Sequence, residues 1–225
     1  MDGFGEPLLL SLKLAVLTTT ILFLLALPIG FLLVMKKFSG KSFIKSLITL
    51  PLVLPPSVLG YYLLIAFRPT SWLGSFWNFV FDSRLAFSFQ GILIASIIFS
   101  FPFMVNPVVA ALETLPQNLT DASYSLGKSK WITFTKVLMP NISPTILSAL
   151  VLTFAHTIGE FGVILMIGGN IPGETKVASM AVFHELEAMK YERASQYALI
   201  LLIFSFLVIL AVQLIQRKTS RTVLC

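Results

Sequence analysis

Long unbroken stretches of apolar residues alternate with short polar gaps along the chain. Five stretches, at residues 8–34, 47–67, 91–111, 142–167 and 197–215, are each long enough to cross a hydrocarbon layer of about 30 Å as a helix, which takes roughly 20 residues. None of them alternates apolar and polar positions as a barrel strand does. The pattern therefore predicts an all-α integral membrane protein with about five transmembrane helices in one domain, residues 1–225.

Composition supports the bilayer as the solvent. Of 225 residues, 56% are hydrophobic and 12% are charged, and the mean hydropathy is +0.91, whereas a soluble domain carries about 25% charged residues. The formal net charge of +6 does not indicate nucleic acid, because the basic residues stand in short gaps between apolar runs. We expect membrane lipid around the spans and no nucleic-acid partner.

The polar gaps differ in charge. One side is rich in basic residues, namely Lys36, Lys37, Lys41, Lys45, Lys128, Lys130, Lys136, Arg217, Lys218 and Arg221. The other side mixes basic residues with most of the acids, such as Glu174, Glu185 and Glu187. Because lysine and arginine accumulate in cytoplasmic loops, the N-terminus is predicted outside and the C-terminus in the cytoplasm.

Prolines interrupt the second and third spans. The second span holds Pro51, Pro55 and Pro56, and the third holds Pro102 and Pro107. An internal proline removes a backbone donor and frees a carbonyl, and in lipid such groups must face protein or a wet cavity. Two adjacent interrupted spans favour a pathway or a moving element over kinked packing helices. Ser100 and Asn106 of the third span are candidates for lining it.

Small and hydroxylated residues form a stripe along the fourth span. Thr145, Ala149, Thr153 and Thr157 recur every four residues and share one helix face. Such a face either allows close helix packing or lines a polar path, and the residues alone do not separate the two. Thr145, Thr153 and Thr157 are pathway candidates.

Glu160 is the one acid inside an apolar span, and His156 precedes it by one turn. A charged side chain at the centre of a membrane helix costs roughly 3 kcal/mol on insertion scales, so it should face the bundle interior or an aqueous cavity. We expect either a gate at the outer end of a pathway or a polar clamp between helices.

Residues 113–141, between the third and fourth spans, carry the signals of two short helices. Asn118, followed three residues later by Asp121, predicts a capping box at the start of the first helix, and Gly127 suits its left-handed C-terminal cap. Ser129 can cap a second helix that Pro140 stops. The predicted product is a compact knob whose exposed aromatic residues invite a partner surface.

The same loop resembles a known motif. Asp121-Ala122-Ser123, then Gly127, then Val137 and Met139-Pro140 is similar to the E-A-A-x3-G-x9-I-x-L-P loop of binding-protein-dependent ABC importer permeases. The chain departs from the motif at Asp121, Ser123, Val137 and Met139, while Gly127 and Pro140 match. The resemblance implies that these residues form coupling helices that dock on a cytoplasmic ATPase subunit.

A second resemblance narrows the family. Gly159-Glu160-Phe161-Gly162 and the later segment Gly169-Asn170-Ile171-Pro172-Gly173-Glu174-Thr175 are similar to molybdate permeases, while sulfate and thiosulfate permeases carry a looser version of the second segment. The likeness covers nearly the whole chain. It implies the permease subunit of a molybdate importer in the bacterial inner membrane, with sulfate, thiosulfate or tungstate as the alternative. Because a carboxylate repels an anion, direct oxyanion binding is the least expected role of Glu160.

The resemblance implies an assembly. Two copies of this chain would form the pathway, a dimer of cytoplasmic ABC ATPase subunits would supply energy, and an extracytoplasmic molybdate-binding protein would deliver the anion. The chain has no Gly-x4-Gly-Lys-Ser/Thr phosphate loop, and its scattered acids and histidines predict neither a catalytic site nor a metal site. We therefore expect no enzymatic activity and no cofactor in this chain, with ATP used by the partner. A secondary transporter, which needs coupling-ion residues or an inverted repeat, and an intramembrane enzyme are less favoured.

The outer segment at residues 173–194 has a helical period of apolar positions, at Val177, Met180, Ala181, His184, Ala188 and Tyr191. We predict an amphipathic helix at the outer surface that enters partway toward the midline. It would contact the binding protein or lie on the bilayer.

Overall fold

The computed structural model describes residues 5–36 and 38–222, which fold into helices joined by short turns, with no β-strand among them. The helices are α1 (Gly5–Met35), α2 (Lys41–Val53), α3 (Pro56–Phe67), α4 (Trp72–Phe81), α5 (Phe89–Thr114), α6 (Gln117–Ser125), α7 (Lys130–Ile132), a π-helical segment (Thr133–Leu138), α8 (Met139–Asn141), α9 (Ser143–Gly159), α10 (Gly162–Gly168), α11 (Ala178–Glu187) and α12 (Tyr191–Thr222). The predicted all-α class is confirmed.

Three helices of the described chain are long and apolar enough to cross a membrane. They are α1, α5 and the part of α12 from Tyr191 to Ala211. Two bent pairs raise the number to five if each pair forms one span: α2 with α3, and the helix from Lys130 to Asn141 with α9. The chain is a multi-pass membrane protein.

The second predicted span, residues 47–67, is two helices rather than one. α2 and α3 differ in direction by 110°. Leu54 and Pro55 between them are extended, with ψ of 136° at both residues. Pro56 begins α3, at a position where the missing backbone N–H costs nothing. The prolines therefore redirect the chain instead of kinking a single helix.

The fourth predicted span, residues 142–167, is also divided. α9 follows the short helices of the loop at a bend of 76° and ends at Gly159. Glu160 is extended, with φ of −65° and ψ of 131°, and α10 begins at Gly162. A Cβ atom on Gly162 would lie 2.8 Å from the Cβ atom of Pro56. The break after α9 thus packs directly against the start of α3.

Helices α1, α5 and α9 pack on one another at the centre of the fold. Their buried side chains belong to two apolar cores. The loop-side core is built around Leu22, Leu33, Met104, Phe134 and Ala149. The far-side core is built around Leu14, Leu59, Ile92, Val163 and Ile167.

Two shorter helices differ from the sequence prediction. The span pattern does not predict α4, because its ten residues are too few to cross a bilayer. The helix predicted over residues 173–194 is shorter, since α11 ends at Glu187 and Tyr191 already begins α12. Its first turn is buried: the N–H of Ala178 donates to Ser11 Oγ of α1 at 2.7 Å. α11 therefore packs into the fold rather than lying wholly at the surface.

Candidate functional site

The loop between α5 and α9 turns at Gly127. This glycine has the left-handed φ of 71°. Its N–H donates to the carbonyl of Tyr124 at 2.9 Å, and the N–H of Lys128 donates to the carbonyl of Ser123 at 3.2 Å. These two bonds form the Schellman motif that ends a helix, so the predicted glycine cap is confirmed. An added Cβ atom would meet nothing within 4 Å, so backbone conformation rather than space favours glycine here.

Hydroxyl groups connect the two arms of the loop. The Oγ of Ser123 lies 2.8 Å from Oγ1 of Thr133, and both side chains are buried. Thr133 donates its own proton to the carbonyl of Ser129 at 3.0 Å, so Ser123 is the donor between the arms. Ser129 accepts from the N–H of Ile132 at 3.3 Å, which is the predicted N-cap. The serine that replaces alanine in the motif therefore gains a partner across the turn.

Aromatic rings attach the second short helix of the loop to α1. Phe134 is fully buried in the loop-side core. Its ring packs edge-on against the ring of Phe31 of α1, with centroids 5.4 Å apart. Trp131 also packs edge-on against Phe31, at 5.3 Å. Such edge-to-face pairs contribute about 1 kcal/mol each beyond their buried area. A displacement of the loop would therefore be transmitted to α1.

Four apolar side chains of the loop are exposed. Leu126 is 76% exposed and Trp131 is 52% exposed, and Tyr124 and Ile132 are exposed beside them. We call these four residues the loop patch. Among the other motif residues Asp121, Ala122 and Pro140 are exposed, whereas Val137 and Met139 are half-buried. An exposed apolar patch of this kind is typical of an interaction surface.

The predicted capping box at the start of the loop is wrong. α6 begins at Gln117, and Asn118 lies inside its first turn without capping it. Leu115, which precedes Pro116, is extended with ψ of 139°, because a residue before proline is displaced from the helical region. The proline therefore ends α5 and sets the start of α6.

A layer of buried hydroxyl groups separates the two apolar cores. It consists of Thr18, Thr19, Ser96, Ser100, Thr153 and Thr157, which come in pairs from α1, α5 and α9. On α1, for example, the layer falls between Leu14 of the far-side core and Leu22 of the loop-side core. The hydroxyl groups of Thr18, Thr19 and Thr153 have no hydrogen-bond partner, whereas that of Ser96 lies beside the carboxyl group of Glu160. The threonine stripe of α9 therefore faces the packed interior of the chain.

Ser100 is the centre of a connected group within this layer. Its Oγ lies 3.0 Å from Nδ1 of His156 and 3.1 Å from Oγ1 of Thr157. Thr157 donates to the carbonyl of Thr153 at 2.9 Å. The ring of His156 stacks on Phe103, with centroids 4.0 Å apart. Three of the predicted pathway candidates, Ser100, Thr153 and Thr157, therefore meet between α5 and α9.

Glu160 occupies the break between α9 and α10 and is only 4% exposed. Its backbone carbonyl accepts a hydrogen bond from Ser179 Oγ of α11 at 2.6 Å. Ser96 lies beside its side chain, but neither carboxyl oxygen has a well-formed hydrogen bond. A buried polar group without a partner is costly. Glu160 is thus a buried polar residue at the point where α9, α10 and α11 meet.

The remaining two pathway candidates lie elsewhere. Thr145 is half-buried in the first turn of α9. Asn106 donates from Nδ2 to Oγ1 of Thr49 at 3.2 Å, which joins α5 to α2. The six candidates therefore do not form one continuous line within a single chain.

Sequence reasoning missed a polar cluster where α2 meets the end of α5. Lys41 and Lys45 place their Nζ atoms 2.7 and 2.6 Å from the two carboxyl oxygens of Glu113. Lys45, Thr49, Asn106 and Glu113 also line a cavity of about 210 Å³. Spacing was the available signal: residues 41, 45 and 49 share one face of α2, and residues 106 and 113 share one face of α5.

The segment after α10 closes on itself through Thr175. Its Oγ1 donates to the carbonyl of Gly168 at 2.6 Å and accepts from the N–H of Ile171 at 2.9 Å. Gly169 has a φ of 66°, and a Cβ atom there would lie 2.7 Å from the ring of Phe87. The second segment of the sequence resemblance is thus a closed turn packed over α10.

Comparison with known proteins adds the identity of the relatives. Residues 16–221 match the model of a family described as the binding-protein-dependent transport system inner membrane component. The chain is 41% identical over 202 residues to the molybdenum transport system permease protein ModB of Azotobacter vinelandii, covering 90% of this chain and 89% of that protein. It is 32% identical over 208 residues to a probable sulfate transport system permease protein cysT of Chlorella vulgaris, covering 92% of this chain and 78% of that protein.

One solved structure shows the same arrangement of helices. It is the crystal structure of a bacterial ABC transporter involved in the import of the acidic polysaccharide alginate. A chain of that transporter matches with a TM-score of 0.79 and 16% sequence identity, covering 97% of this chain and 80% of that one. At this level of identity the likeness shows the fold.

Proposed function

The chain belongs to the family of binding-protein-dependent transport system inner membrane components, and from this premise we propose that it is the permease subunit of an ATP-driven importer for molybdate. The choice of substrate depends on one observation. Identity to a molybdenum permease is 41% over about nine-tenths of both chains, against 32% to a sulfate permease.

In this proposal the loop patch docks on a cytoplasmic ATPase subunit. The turn at Gly127 and the bond between Ser123 and Thr133 give the loop one geometry. The contacts of Phe134 and Trp131 with Phe31 join that geometry to α1. ATP binding would draw the loops of two permease copies together, and α1 and α9 would move with them. The chain itself holds no cofactor, and ATP is hydrolysed by the partner.

The pathway in this proposal lies between two copies of the chain. An extracytoplasmic binding protein delivers molybdate to the side where Glu160 and α11 lie. Glu160 acts as an outer gate, because its position joins three helices and its buried carboxyl group has no partner to hold it in place. Thr145 and Asn106, which are half-buried, offer a hydroxyl and an amide group to the passing anion. Ser100, Thr153 and Thr157 lie inside the chain and reach the anion only when α5 and α9 separate.

Reconstitution tests the function and the substrate. Proteoliposomes containing two copies of this permease, its ATPase subunit and the cognate binding protein should take up molybdate and hydrolyse ATP faster when molybdate is present. The Gly127→Pro permease is the control for coupling. Stimulation by sulfate and not by molybdate would overturn the substrate, and uptake without the ATPase subunit would indicate a secondary transporter.

A sulfate or tungstate importer is the second candidate. The observation that favours sulfate is the match to a sulfate permease, at 32% identity over 92% of this chain. Competition between the three anions in the same vesicles ranks the candidates, since the true substrate should inhibit uptake of the others at the lowest concentration.

Sided labelling tests the proposed topology. Cys225, the single native cysteine, is replaced by serine, and a new cysteine is introduced at Trp131 of the loop. With the N-terminus outside and the C-terminus in the cytoplasm, an impermeant thiol reagent should label this cysteine only after the membrane is opened. Labelling in intact cells would place the loop outside, and ATPase docking would then be impossible.

A further inference from the structure

The cavity between α2 and α5 contains more hydrogen-bond donors than the chain uses. We propose that this cavity is a subsite for a tetrahedral oxyanion leaving the pathway, bound by Lys45 and Asn106, with Glu113 as the group that the anion displaces. The inference rests on the proposed function, which supplies the class of substrate and places this end of the chain on the cytoplasmic side.

The unused donors are on two side chains. The ammonium group of Lys45 has three N–H donors and spends one on Glu113 at 2.6 Å. The amide of Asn106 has two, and one goes to Oγ1 of Thr49 at 3.2 Å. Thr49 in turn donates to the carbonyl of Lys45 at 2.9 Å, so its proton is already committed. Thr49 therefore positions the Asn106 amide, and the second amide N–H is available to a ligand.

The charges around the cavity favour an anion. Lys41 and Lys45 supply two positive charges, and Glu113 is the one acid among the residues that line the cavity. Ile48, Val105 and Val109 form the apolar walls of the cavity, so its polar groups are confined to Lys45, Thr49, Asn106 and Glu113. The volume of about 210 Å³ is ample for a central atom with four oxygens.

Glu113 makes the site one from which an anion can leave. Its side chain and those of both lysines are about one-third exposed, at 32% to 37%, and ion pairs this accessible are weak and exchange readily. An arriving oxyanion can therefore replace the carboxylate on the lysines, and the carboxylate can later replace the anion. The ion pairs serve as a competitor that limits affinity at the exit.

Equilibrium binding tests the subsite. The purified permease–ATPase complex in detergent, without nucleotide and without binding protein, is titrated with radiolabelled molybdate. Asn106→Leu and Lys45→Met should each weaken binding about tenfold, since each removes a charge-assisted hydrogen bond. Glu113→Gln should tighten binding about threefold, because the competing charge is gone. Lys36→Met, which changes an exposed lysine outside the cavity, is the matched control and should leave the Kd unchanged.

The opposite signs separate a binding site from a structural latch. If the ion pairs only held α2 against α5, all three variants would bind molybdate no better than the unaltered complex. An unchanged or higher Kd in Glu113→Gln therefore overturns the subsite, as does the absence of binding to the unaltered complex. Thr49→Val, which keeps the side-chain shape, replaces Lys45→Met if that complex fails to assemble, and should weaken binding severalfold.

Parallel measurements separate this inference from the proposed function. Uptake of molybdate by the unaltered transporter, with no change of Kd in the variants, would overturn the subsite and leave the function standing. Binding of sulfate in place of molybdate, with the same response to the variants, would support the subsite and overturn the proposed substrate.

Discussion

The loop between α5 and α9 and the hydroxyl layer use the same types of side chain in opposite ways. In the loop, Ser123, Ser129 and Thr133 all have hydrogen-bond partners. In the layer, Thr18, Thr19 and Thr153 are buried without any. Partnered groups hold one geometry, whereas unpartnered ones add no hydrogen bond that fixes one helix against another. In the proposed mechanism the loop would move as a rigid unit, and the helix core would be rearranged by it.

The largest effect should come from Glu160→Lys. The substitution places a long cation at a buried break between helices, and a buried unpaired charge costs several kcal/mol. We expect almost no monodisperse protein in size-exclusion chromatography. Glu160→Gln is the matched control, which should assemble normally and change the rate of uptake. Full uptake by the lysine variant would show that this position is open to bulk water.

The next largest effect should come from Gly127→Pro. Proline cannot adopt the φ of 71° and removes the N–H that bonds to Tyr124. The rigid loop would be lost, and recovery of the ATPase subunit by co-purification should fall at least tenfold. Gly127→Asn should retain most of the association, because asparagine tolerates the left-handed conformation. A normal yield of complex with proline would separate the loop from ATPase docking.

Phe134→Ala should sharpen the comparison by loosening the attachment of the loop to α1. The ring is fully buried between Phe31 and the loop-side core, and such truncations cost about 3–5 kcal/mol. We expect a lower midpoint of thermal unfolding in detergent. Leu126→Ala, on the exposed loop patch, should leave that midpoint unchanged and weaken ATPase association. Equal midpoints for the two variants would contradict the anchoring role.

The smallest effects should distinguish partnered from unpartnered hydroxyl groups directly. Ser123→Ala leaves Thr133 without its donor and should cost about 1 kcal/mol. Thr153→Val and Thr18→Val remove hydroxyl groups that have no partner, and should be neutral or slightly stabilising. Thermal midpoints of the three variants in one detergent provide the test. A larger fall in the thermal midpoint for the layer variants than for Ser123→Ala would contradict the comparison.

Local signals predicted much of the fold and part of the site. The apolar runs indicated α1, α5 and α12, because a bilayer requires about 20 apolar residues for each straight crossing. Gly127 and Ser129 were predicted as caps, because a cap depends on residues within one turn of chain. Asn118 was misassigned because the dominant local constraint was Pro116, which restricts the residue before it.

The remaining features depended on residues far apart in the sequence. The pairing of Lys41 and Lys45 with Glu113 joins positions about 70 residues apart, with separations of 72 and 68. The contact of Ser100 with Thr157 spans 57 residues. The spacing of residues within one helix cannot predict such a contact, because the contact forms only when the faces of two helices come together.

The sequence by itself determined the solvent, the helical class and the position of the turn at Gly127, because hydropathy and backbone preference act over short lengths of chain. Only the tertiary structure decided that the second span folds back by 110°. It also decided that the hydroxyl residues of three helices form one layer and that a cavity opens between α2 and α5. The physical reason is that tertiary packing determines which helix faces come into contact, and that contact determines the surroundings of each polar side chain.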